Sequence, residues 1–232
     1  MNNADRYCNG EYLKFNPTWS IETSAWKAEK INQMLNKHDL SPDTICEIGC
    51  GAGEILNCLH SKLPKTEFIG YEISEQAFEL CKTRQKERLN YKLEDLLADS
   101  NTDYYDLLLI IDVVEHVEDY FTFLRKCKKK AKIKLFHIPL DMNVQGVLRT
   151  TPILTSRKMV GHLHYFSKET ALEALLECGY NTIDYFYTNG SLELKNRTYK
   201  NMILDIPRKI FHHLSEDLTA RILGGSILVL AE

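Results

Sequence analysis

The stretch ICEIGCGAGEIL, residues 45–56, is the most informative part of the chain. An apolar run leads into the pattern Glu47-x-Gly49-x-Gly51-x-Gly53, and a helix is predicted to follow it directly. Glycines permit positive φ angles and let a ligand approach the backbone closely. The start of a helix adds free N–H donors at the same point. The stretch therefore predicts a strand, a turn and a helix that together bind a nucleotide-like ligand.

The spacing of these glycines narrows the class of ligand. Dinucleotide-binding domains carry G-x-G-x-x-G, whereas the glycines here follow G-x-G-x-G. Glu47 stands two places before Gly49, and its carboxylate would repel a pyrophosphate. The turn therefore favours a zwitterionic ligand with an amino-acid group over a dinucleotide.

Strand-like and helix-like segments alternate from about residue 43 to residue 188. The predicted strands are 44–48, 67–71, 90–93, 105–111, 133–138, 181–187 and 226–231. Short apolar runs that are each followed by a helix are typical of a parallel sheet covered on both faces. The last strand has no helix after it, so the final two strands are predicted to be an antiparallel pair at the sheet edge. The fold class is therefore α/β, a Rossmann-like, seven-stranded, mostly parallel sheet with an antiparallel last strand and helices on both faces.

The simplest organisation is one domain over residues 1–232. Its predicted parts are a helical N-terminal lid (1–40), a cofactor-binding core (41–188), an insert between the last two strands (189–225) and the terminal strand (226–231). Tyr7 and Trp26 are predicted members of the lid. Within the core, Ser74 is predicted to cap a helix over 75–88, and Ser167 to cap a helix that ends before Gly179.

Acidic residues follow the next two predicted strands. Glu72 ends the second strand, where a carboxylate can accept both hydroxyls of a ribose, and Ile73 follows it. Asp95 follows the third strand and is placed to accept a hydrogen bond from an adenine amino group, with the Leu96 N–H nearby. Two other acids, Glu94 and Asp99, compete with Asp95 for this role.

The fourth strand is apolar throughout and ends in Asp112-Val113-Val114-Glu115-His116. Polar groups at the carboxyl ends of parallel strands line the ligand crevice. Asp112 and Val113 are therefore predicted to lie near the amino-acid part of the ligand.

Taken together, these segments resemble motifs I to IV of the class I S-adenosylmethionine-dependent methyltransferases. The resemblance is to the small-molecule branch of this family, which includes the type 11 and type 23 families and the ubiquinone and sugar methyltransferases. Members of that branch have a similar Glu-His pair after the fourth strand and a segment similar to residues 161–180, GHLHYFSKETALEALLECGY. The resemblance implies S-adenosylmethionine as cofactor and S-adenosylhomocysteine as product. It implies that Gly49, Gly51 and Gly53 cradle the methionyl part beside Glu47, while substrate identity does not transfer.

Histidines are the candidates for a general base, which a hydroxyl acceptor would need. His116 directly follows the fourth strand, and His162 and His164 alternate in an extended segment, so both would point the same way. His116 and His164 are the predicted catalytic residues, with a structural role as the alternative for each. His137, inside the fifth strand, is interpreted as a core residue. No metal ligand is predicted.

Charge and composition bear on partners. The formal net charge of −3 argues against nucleic acid as a partner, and the basic run 125–134 is interpreted as a solvated face. Segment 195–223 mixes apolar and basic residues, so peripheral membrane contact is one role that it could have. It could also cover a substrate pocket or pair with another subunit, and covering the domain's own core is the commonest role of such a segment. With seven cysteines, no membrane span and no secretory leader, the expected setting is the cytoplasm.

The predicted function is methyl transfer to an oxygen or nitrogen nucleophile of a small or carrier-linked molecule. A sugar or glycan intermediate and a quinone-like precursor both fit as acceptors. Two alternatives stay open: a non-catalytic protein that binds S-adenosylmethionine, and a nicotinamide-dependent oxidoreductase. The sequence leaves the oligomeric state open.

Overall fold

The computed structural model describes residues 5–194 and 215–232. Its strands are β1 (Thr44–Ile48), β2 (Glu67–Glu72), β3 (Leu89–Leu93), β4 (Tyr105–Ile111), β5 (Ala131–Pro139), β6 (Thr182–Thr188) and β7 (Ser226–Ala231). The described helices are α1 (Asp5–Cys8), α2 (Glu11–Phe15), α3 (Ile21–Lys37), α4 (Glu54–Lys62), α5 (Glu75–Lys82), α6 (Tyr120–Lys128), α7 (Val144–Arg149), α8 (Thr151–Met159), α9 (Lys168–Glu177), α10 (Gly190–Glu193) and α11 (Glu216–Leu223). A short 3₁₀ helix covers Val114–His116.

The strands form one seven-stranded sheet in the order β3-β2-β1-β4-β5-β7-β6. The first five strands pair in parallel, and β7 runs antiparallel to both β5 and β6. The chain order reverses between β1 and β4, which is where ligands bind in open α/β sheets. This topology confirms the predicted fold class and the antiparallel pair at the sheet edge.

The central strand β4 shows why helices cover both faces. Successive strand residues point to opposite faces, and five in a row on β4 are buried apolar residues. Leu107 and Leu109 pack with α3 and α4, whereas Leu108 and Ile110 pack with α6, α9 and α11. Such an unbroken apolar run is the pattern of a strand that is buried on both sides.

The helix ends agree in part with the sequence prediction. Ser74 accepts a hydrogen bond from the Ala77 N–H, and Ser167 forms a capping box with Thr170, so both predicted caps are confirmed. The predicted helix over 75–88 is too long, because α5 ends at Lys82. The chain then turns back through a bridge between Lys86 and Leu89, with φ of 61° at Arg88, and enters β3.

The N-terminal helices are held to the core at two places. The Arg6 guanidinium donates to the carbonyl oxygens of Arg157 and Lys158 at the end of α8. On the other side, the Ser74 hydroxyl donates to the Tyr7 carbonyl oxygen at 2.6 Å. The segment before α3 therefore bridges α8 and the end of β2.

None of the helices within residues 5–194 and 215–232 is both long and apolar enough to cross a membrane. Membrane contact is predicted for the segment 195–223, and residues 195–214 of that segment lie outside the described residues. Its remainder begins with Ser215, which caps α11 by accepting from the Leu218 N–H at 3.1 Å.

Candidate functional site

A cavity of about 800 Å³ opens at the carboxyl ends of β1, β2, β4 and β5, beneath the N-terminal segment. Ten of the predicted site residues line it: Glu47, Gly49, Gly51, Glu72, Ile73, Asp95, Leu96, Asp112, Val113 and His116. Gly53 and His164 are not among its lining residues. The topology therefore brings together nearly all of the residues that the sequence points to.

The glycine turn is tied to the second strand by its backbone. The N–H groups of Gly49 and Cys50 both donate to the Tyr71 carbonyl oxygen, at 2.9 and 3.1 Å. Gly49 and Gly51 have φ angles of 66° and 56°, in the left-handed region that favours glycine. A Cβ atom on Gly49 would lie 3.1 Å from a Val113 methyl group. The backbone conformation therefore favours glycine at both positions, and at Gly49 the space is restricted as well.

Gly53 has a structural role in the same turn. It precedes α4 with a φ of 76°, and a Cβ atom there would lie 2.5 Å from the Tyr91 ring. The Tyr91 hydroxyl also donates to the Gly53 carbonyl oxygen at 2.6 Å. Gly53 thus lets β3 pack against the start of α4, whereas Gly49 and Gly51 face the cavity.

Glu47 is buried at the end of β1, with only 2% of its surface exposed. Its Oε2 atom has no hydrogen-bond partner in the described part of the chain. Burial raises the pKa of Glu47 well above its usual range, although the positive charge of Lys27 opposes this. A buried polar atom without a partner is uncommon and calls for a ligand or a proton. Glu47 is therefore poised to receive a donor that enters the cavity.

Glu72 is held in place by three backbone N–H groups. Its Oε2 accepts from Gly51 at 2.8 Å, and its Oε1 accepts from Ile73 and Ser74, each at 2.8 Å. Burial raises the pKa of this carboxyl, and the backbone donors act in the opposite direction. The side chain is thereby fixed at the cavity wall, in the position predicted for a ribose contact.

Of the three acids predicted near the adenine, Asp95 and Glu94 line the cavity and Asp99 does not. Asp95 accepts from the Leu97 N–H at 2.8 Å, which orders the loop after β3. The side chain of Asp99 is fully exposed and lies 3.7 Å from the Lys126 ammonium. The choice for this role therefore narrows to Asp95 and Glu94.

Asp112 follows β4 with a φ of 53° and contacts two basic groups. Lys27 Nζ lies 2.6 Å from its Oδ2, and His137 Nδ1 lies 2.5 Å from its Oδ1. Burial alone would raise the pKa of Asp112, but the charges of His137 and Lys27 hold it well below its usual range. His137 also contacts the Thr188 hydroxyl at 2.9 Å, in agreement with its interpretation as a core residue.

A second polar cluster lies farther along the cavity. His116 and His162 face each other with ring centroids 4.9 Å apart, and both line the cavity beside Glu115. Burial and the charge of His162 lower the pKa of His116 to about 4. Burial and the charge of Asp112 raise the pKa of Glu115. His162 Nδ1 lies 2.6 Å from Asp141 Oδ2.

The expectation that His162 and His164 point the same way does not hold. The N–H groups of Leu163 and His164 both bond to the Glu115 carbonyl oxygen, at 2.8 and 3.1 Å, which bends the segment away from an extended course. The His164 ring then packs against Tyr120 and contacts the Glu118 carbonyl oxygen at 3.1 Å. The structure therefore places His162 in the cavity and His164 outside it.

Aromatic residues of the N-terminal segment close the cavity on one side. Tyr12 lies 4.9 Å from Tyr7 and 4.7 Å from Trp19, centroid to centroid, and all three line the cavity. Tyr7 also meets the His116 ring edge-on at 5.8 Å. Trp26, the other predicted lid residue, lies outside the cavity lining and donates to Glu193 at 3.1 Å.

Sequence reasoning missed two residues of this site. Lys27 lies on α3 and no motif surrounds it, so only the fold reveals its contact with Asp112. Glu115 was noted only as part of a Glu-His pair, and its burial inside a 3₁₀ turn could not be foreseen from a single sequence.

Comparisons with known proteins agree with this geometry. A family model described as a methyltransferase domain matches residues 46–133. (S)-Coclaurine N-methyltransferase of Thalictrum flavum subsp. glaucum is 28% identical over 90 residues, which are 37% of this chain and 25% of that protein. Ubiquinone biosynthesis O-methyltransferase of Aliivibrio fischeri is 22% identical over 143 residues, 56% of this chain and 60% of that protein. The chain thus matches less than two thirds of the length of either curated relative.

The fold has close counterparts among solved structures. Magnesium protoporphyrin IX methyltransferase from Synechocystis PCC 6803, crystallised with bound SAH, superposes with a TM-score of 0.60. The two are 15% identical, and the match covers 89% of this chain and 82% of that one. At this level of identity the likeness concerns the fold.

Proposed function

We propose that this chain is a class I S-adenosylmethionine-dependent methyltransferase and that it transfers a methyl group to an oxygen or nitrogen atom of a small or carrier-linked molecule. The names of the two curated relatives support both atoms, since one is an N-methyltransferase and the other an O-methyltransferase. A sugar or glycan intermediate and a quinone-like precursor are the acceptor classes that the proposal covers.

The observation that carries the proposal is a buried Glu47 oxygen beside the glycine turn that has no hydrogen-bond partner within residues 5–194 and 215–232. A carboxylate there suits the ammonium group of an amino-acid ligand and disfavours a phosphate. Gly49 and Gly51 leave the backbone open at the same wall of the cavity. This combination fits the methionyl part of S-adenosylmethionine better than a nicotinamide dinucleotide.

The other cofactor contacts follow the strand ends. Glu72 would hold the ribose, and Asp95 and Leu96 would hold the adenine, because all three line the cavity. Asp112 would lie near the amino-acid part of the cofactor, where it forms an ion pair with Lys27. When bound, the cofactor supplies a methyl group on a sulfonium that is already activated. The chain's own task is to align the acceptor and exclude water, and positioning of this kind contributes up to about 7–11 kcal/mol.

The acceptor side is the wall formed by Tyr7, His116 and His162. A hydroxyl acceptor must lose a proton, and His116 is the base in this proposal. Its lowered pKa, about 4, leaves the imidazole unprotonated at neutral pH but also makes it a weak base, since the most effective catalytic base has a pKa near the operating pH. His162, hydrogen-bonded to Asp141, is the second base of the proposal.

Isothermal titration calorimetry tests the cofactor half. We expect S-adenosylmethionine and S-adenosylhomocysteine to bind and NAD⁺ not to bind. The variant Glu47→Gln should bind S-adenosylmethionine about 10–100-fold more weakly, the size of one lost charge-assisted hydrogen bond. Glu67→Gln, at the exposed start of β2, is the matched control and should bind normally. Tight binding of NAD⁺, or unchanged affinity in Glu47→Gln, contradicts the proposal.

Methyl transfer is measured with radiolabelled S-adenosylmethionine and a fractionated cell extract. His116→Ala should lose most of the turnover and keep its affinity for the cofactor, since His116 lies on the acceptor side. A wild-type protein that binds the cofactor but labels no fraction would instead support a non-catalytic binding protein.

For partners and location, the proposal keeps the sequence predictions. A small or carrier-linked acceptor and no nucleic acid are expected, and membrane contact through 195–223 stays a prediction. A cytoplasmic setting accords with the free thiols of all seven cysteines.

A further inference from the structure

We propose that Glu115, His116 and His162 form a binding site for one divalent first-row transition-metal cation on the acceptor side of the cavity. The sequence predicted no metal ligand, because the three residues come from two segments that only the fold brings together. The 3₁₀ turn after β4 provides two of them, and the segment before α9 provides the third.

The distances suit a cation that draws the side chains slightly together. One candidate ligand atom from each residue lies within 4.8 Å of the other two. His116 Nε2 is 3.8 Å and His162 Nε2 is 4.0 Å from the same atom, Glu115 Oε1. Metal–ligand bonds of about 2.0–2.1 Å in a tetrahedron place ligand atoms about 3.3 Å apart. Movements of about 1 Å therefore suffice to complete the site.

Glu115 provides the independent observation that something binds here. Its side chain is buried, and neither carboxylate oxygen has a hydrogen-bond partner in residues 5–194 or 215–232. Burying such a group without a partner is costly, so native structures rarely leave one unsatisfied. A cation between Glu115 and the two imidazoles would satisfy the carboxylate, for which the described part of the chain offers no donor.

The contact with Asp141 orients the His162 imidazole as a metal ligand requires. Asp141 Oδ2 lies 2.6 Å from His162 Nδ1, which leaves His162 Nε2 directed at Glu115. Histidines that bind metals commonly donate their other ring N–H to a carboxylate in this way. The Glu115 carbonyl oxygen accepts from the N–H groups of Leu163 and His164, so the two ligand-bearing segments are also joined through the backbone.

The donor set selects the class of cation. Two imidazoles and one carboxylate suit Zn²⁺, Co²⁺, Fe²⁺ or Mn²⁺, whereas Mg²⁺ and Ca²⁺ prefer oxygen ligands. Three protein ligands leave coordination positions open, and all three residues line the cavity. If the proposed methyl transfer holds, such a cation would orient and polarise the acceptor's oxygen as a Lewis acid. With the cation bound, His116 and His162 would act as its ligands and not as bases, and the polarisation would take over the task of easing proton loss from the acceptor. This last step rests on the proposed function, whereas cation binding does not.

Titration of the metal-free protein with Co²⁺ tests the site. We expect one equivalent to bind, with visible absorption bands and a rise in the melting temperature. Glu115→Gln and His162→Ala should each bind Co²⁺ at least 10-fold more weakly, and Asp141→Asn about 10–100-fold more weakly. His60→Ala removes a histidine of α4 that contacts the Glu87 carbonyl oxygen, and it should bind like the wild type. Mg²⁺ should not displace Co²⁺.

Circular dichroism and calorimetry with S-adenosylmethionine show whether each variant is folded. Wild-type protein that binds no stoichiometric Co²⁺, or folded His162→Ala that binds it as tightly as His60→Ala, overturns the proposal. Because Co²⁺ binding is read without turnover, its failure is distinct from a failure of methyl transfer. A protein that binds Co²⁺ but labels no acceptor would leave the metal site standing and the proposed function refuted.

Discussion

Gly51 and Gly53 occupy the same turn, and both have positive φ angles, but they meet different neighbours. A Cβ atom on Gly51 would lie 3.7 Å from the Trp19 ring, an ordinary contact, whereas one on Gly53 would lie 2.5 Å from Tyr91. The motif G-x-G-x-G therefore combines two functions. Its first two glycines open the backbone to a ligand, and its third allows a strand and a helix to pack.

This difference predicts that Gly53→Ala has the larger effect on stability and Gly51→Ala the larger effect on cofactor affinity. Gly51→Ala should lower the free energy of unfolding by about 1–2 kcal/mol, the cost of a left-handed non-glycine residue. Gly53→Ala should lower it by a further 1–3 kcal/mol or so, because the Tyr91 ring must shift. Urea unfolding measures both. The affinity for S-adenosylmethionine should fall more in Gly51→Ala than in Gly53→Ala. If one variant showed the larger loss in both stability and affinity, the division of roles would be contradicted.

A pH-dependent stability follows from Asp112. Because its pKa in the folded protein lies below that of the unfolded chain, its ionised form stabilises the fold above about pH 4, and this contribution is lost as the pH falls further. Asp112→Asn should therefore lower the free energy of unfolding by about 2–3 kcal/mol at pH 7, since Lys27 loses its partner. The gap between wild type and variant should narrow below pH 4.

Urea unfolding of the cofactor-free protein between pH 3.5 and 7 provides the measurement. Asp99→Asn is the control, because that side chain is fully exposed, and its curve should follow the wild type at every pH. A gap between wild type and Asp112→Asn that stays constant with pH would show that ionisation is not the source of the effect.

The individual residues also show where sequence reasoning stops. Glu47 and Glu72 could be predicted, because each stands at a fixed distance from a strand end that the apolar pattern reveals. Lys27 could not, since it reaches Asp112 from a helix with no motif of its own. Of the two histidines in the segment 162–164, His162 lines the cavity and the predicted His164 does not, because two backbone bonds to the Glu115 carbonyl oxygen bend a segment that looks extended in sequence.

At the scale of elements, β1, β4 and β7 have the bounds that their apolar runs predict. These strands are buried on both faces, so composition alone marks their ends. Helix α5 is shorter than predicted, since residues 83–88 are as polar as an exposed helix. What ends that helix is the turn into β3, a tertiary feature that a local pattern does not carry.

Two helix caps give a matched test of how α5 connects to the N-terminal segment. Ser74 and Ser167 each accept a hydrogen bond from the first turn of a helix, and Ser74 also donates to the Tyr7 carbonyl oxygen. Changing either serine to alanine should cost about 1 kcal/mol of unfolding free energy. Ser74→Ala should in addition weaken cofactor binding, because it releases the segment that covers the cavity, whereas Ser167→Ala should not. Urea unfolding of both variants measures the loss of the helix cap, and calorimetry with S-adenosylmethionine measures the loss of the contact with the N-terminal segment.

At the scale of the whole molecule, the cavity has two walls of different origin. The cofactor wall comes from the ends of strands in the sheet, and a single sequence reveals those ends through the regular alternation of apolar strands and helices. The acceptor wall, formed by Tyr7, His116 and His162, joins the N-terminal segment to a strand end and to a residue more than 150 positions after Tyr7 in the chain. Contacts over that separation leave no periodic signal, and this is why the cofactor could be predicted and the acceptor could not.

The N-terminal segment should respond to the cofactor as a lid. Tyr7, Tyr12 and Trp19 line the cavity, and the segment is fixed to the core through Arg6 and the Tyr7 carbonyl oxygen, so cofactor exchange requires it to open. Ligand at 100 times its dissociation constant stabilises the bound form by about 2.7 kcal/mol. Amides of residues 11–20 that exchange only through this opening should therefore slow by up to about 100-fold with S-adenosylhomocysteine.

Hydrogen–deuterium exchange with mass spectrometry measures this, and the first turn of α9, none of whose residues lines the cavity, should be unaffected. Equal protection of both segments would indicate general stabilisation, and no change in 11–20 would show that the cofactor enters without moving the segment.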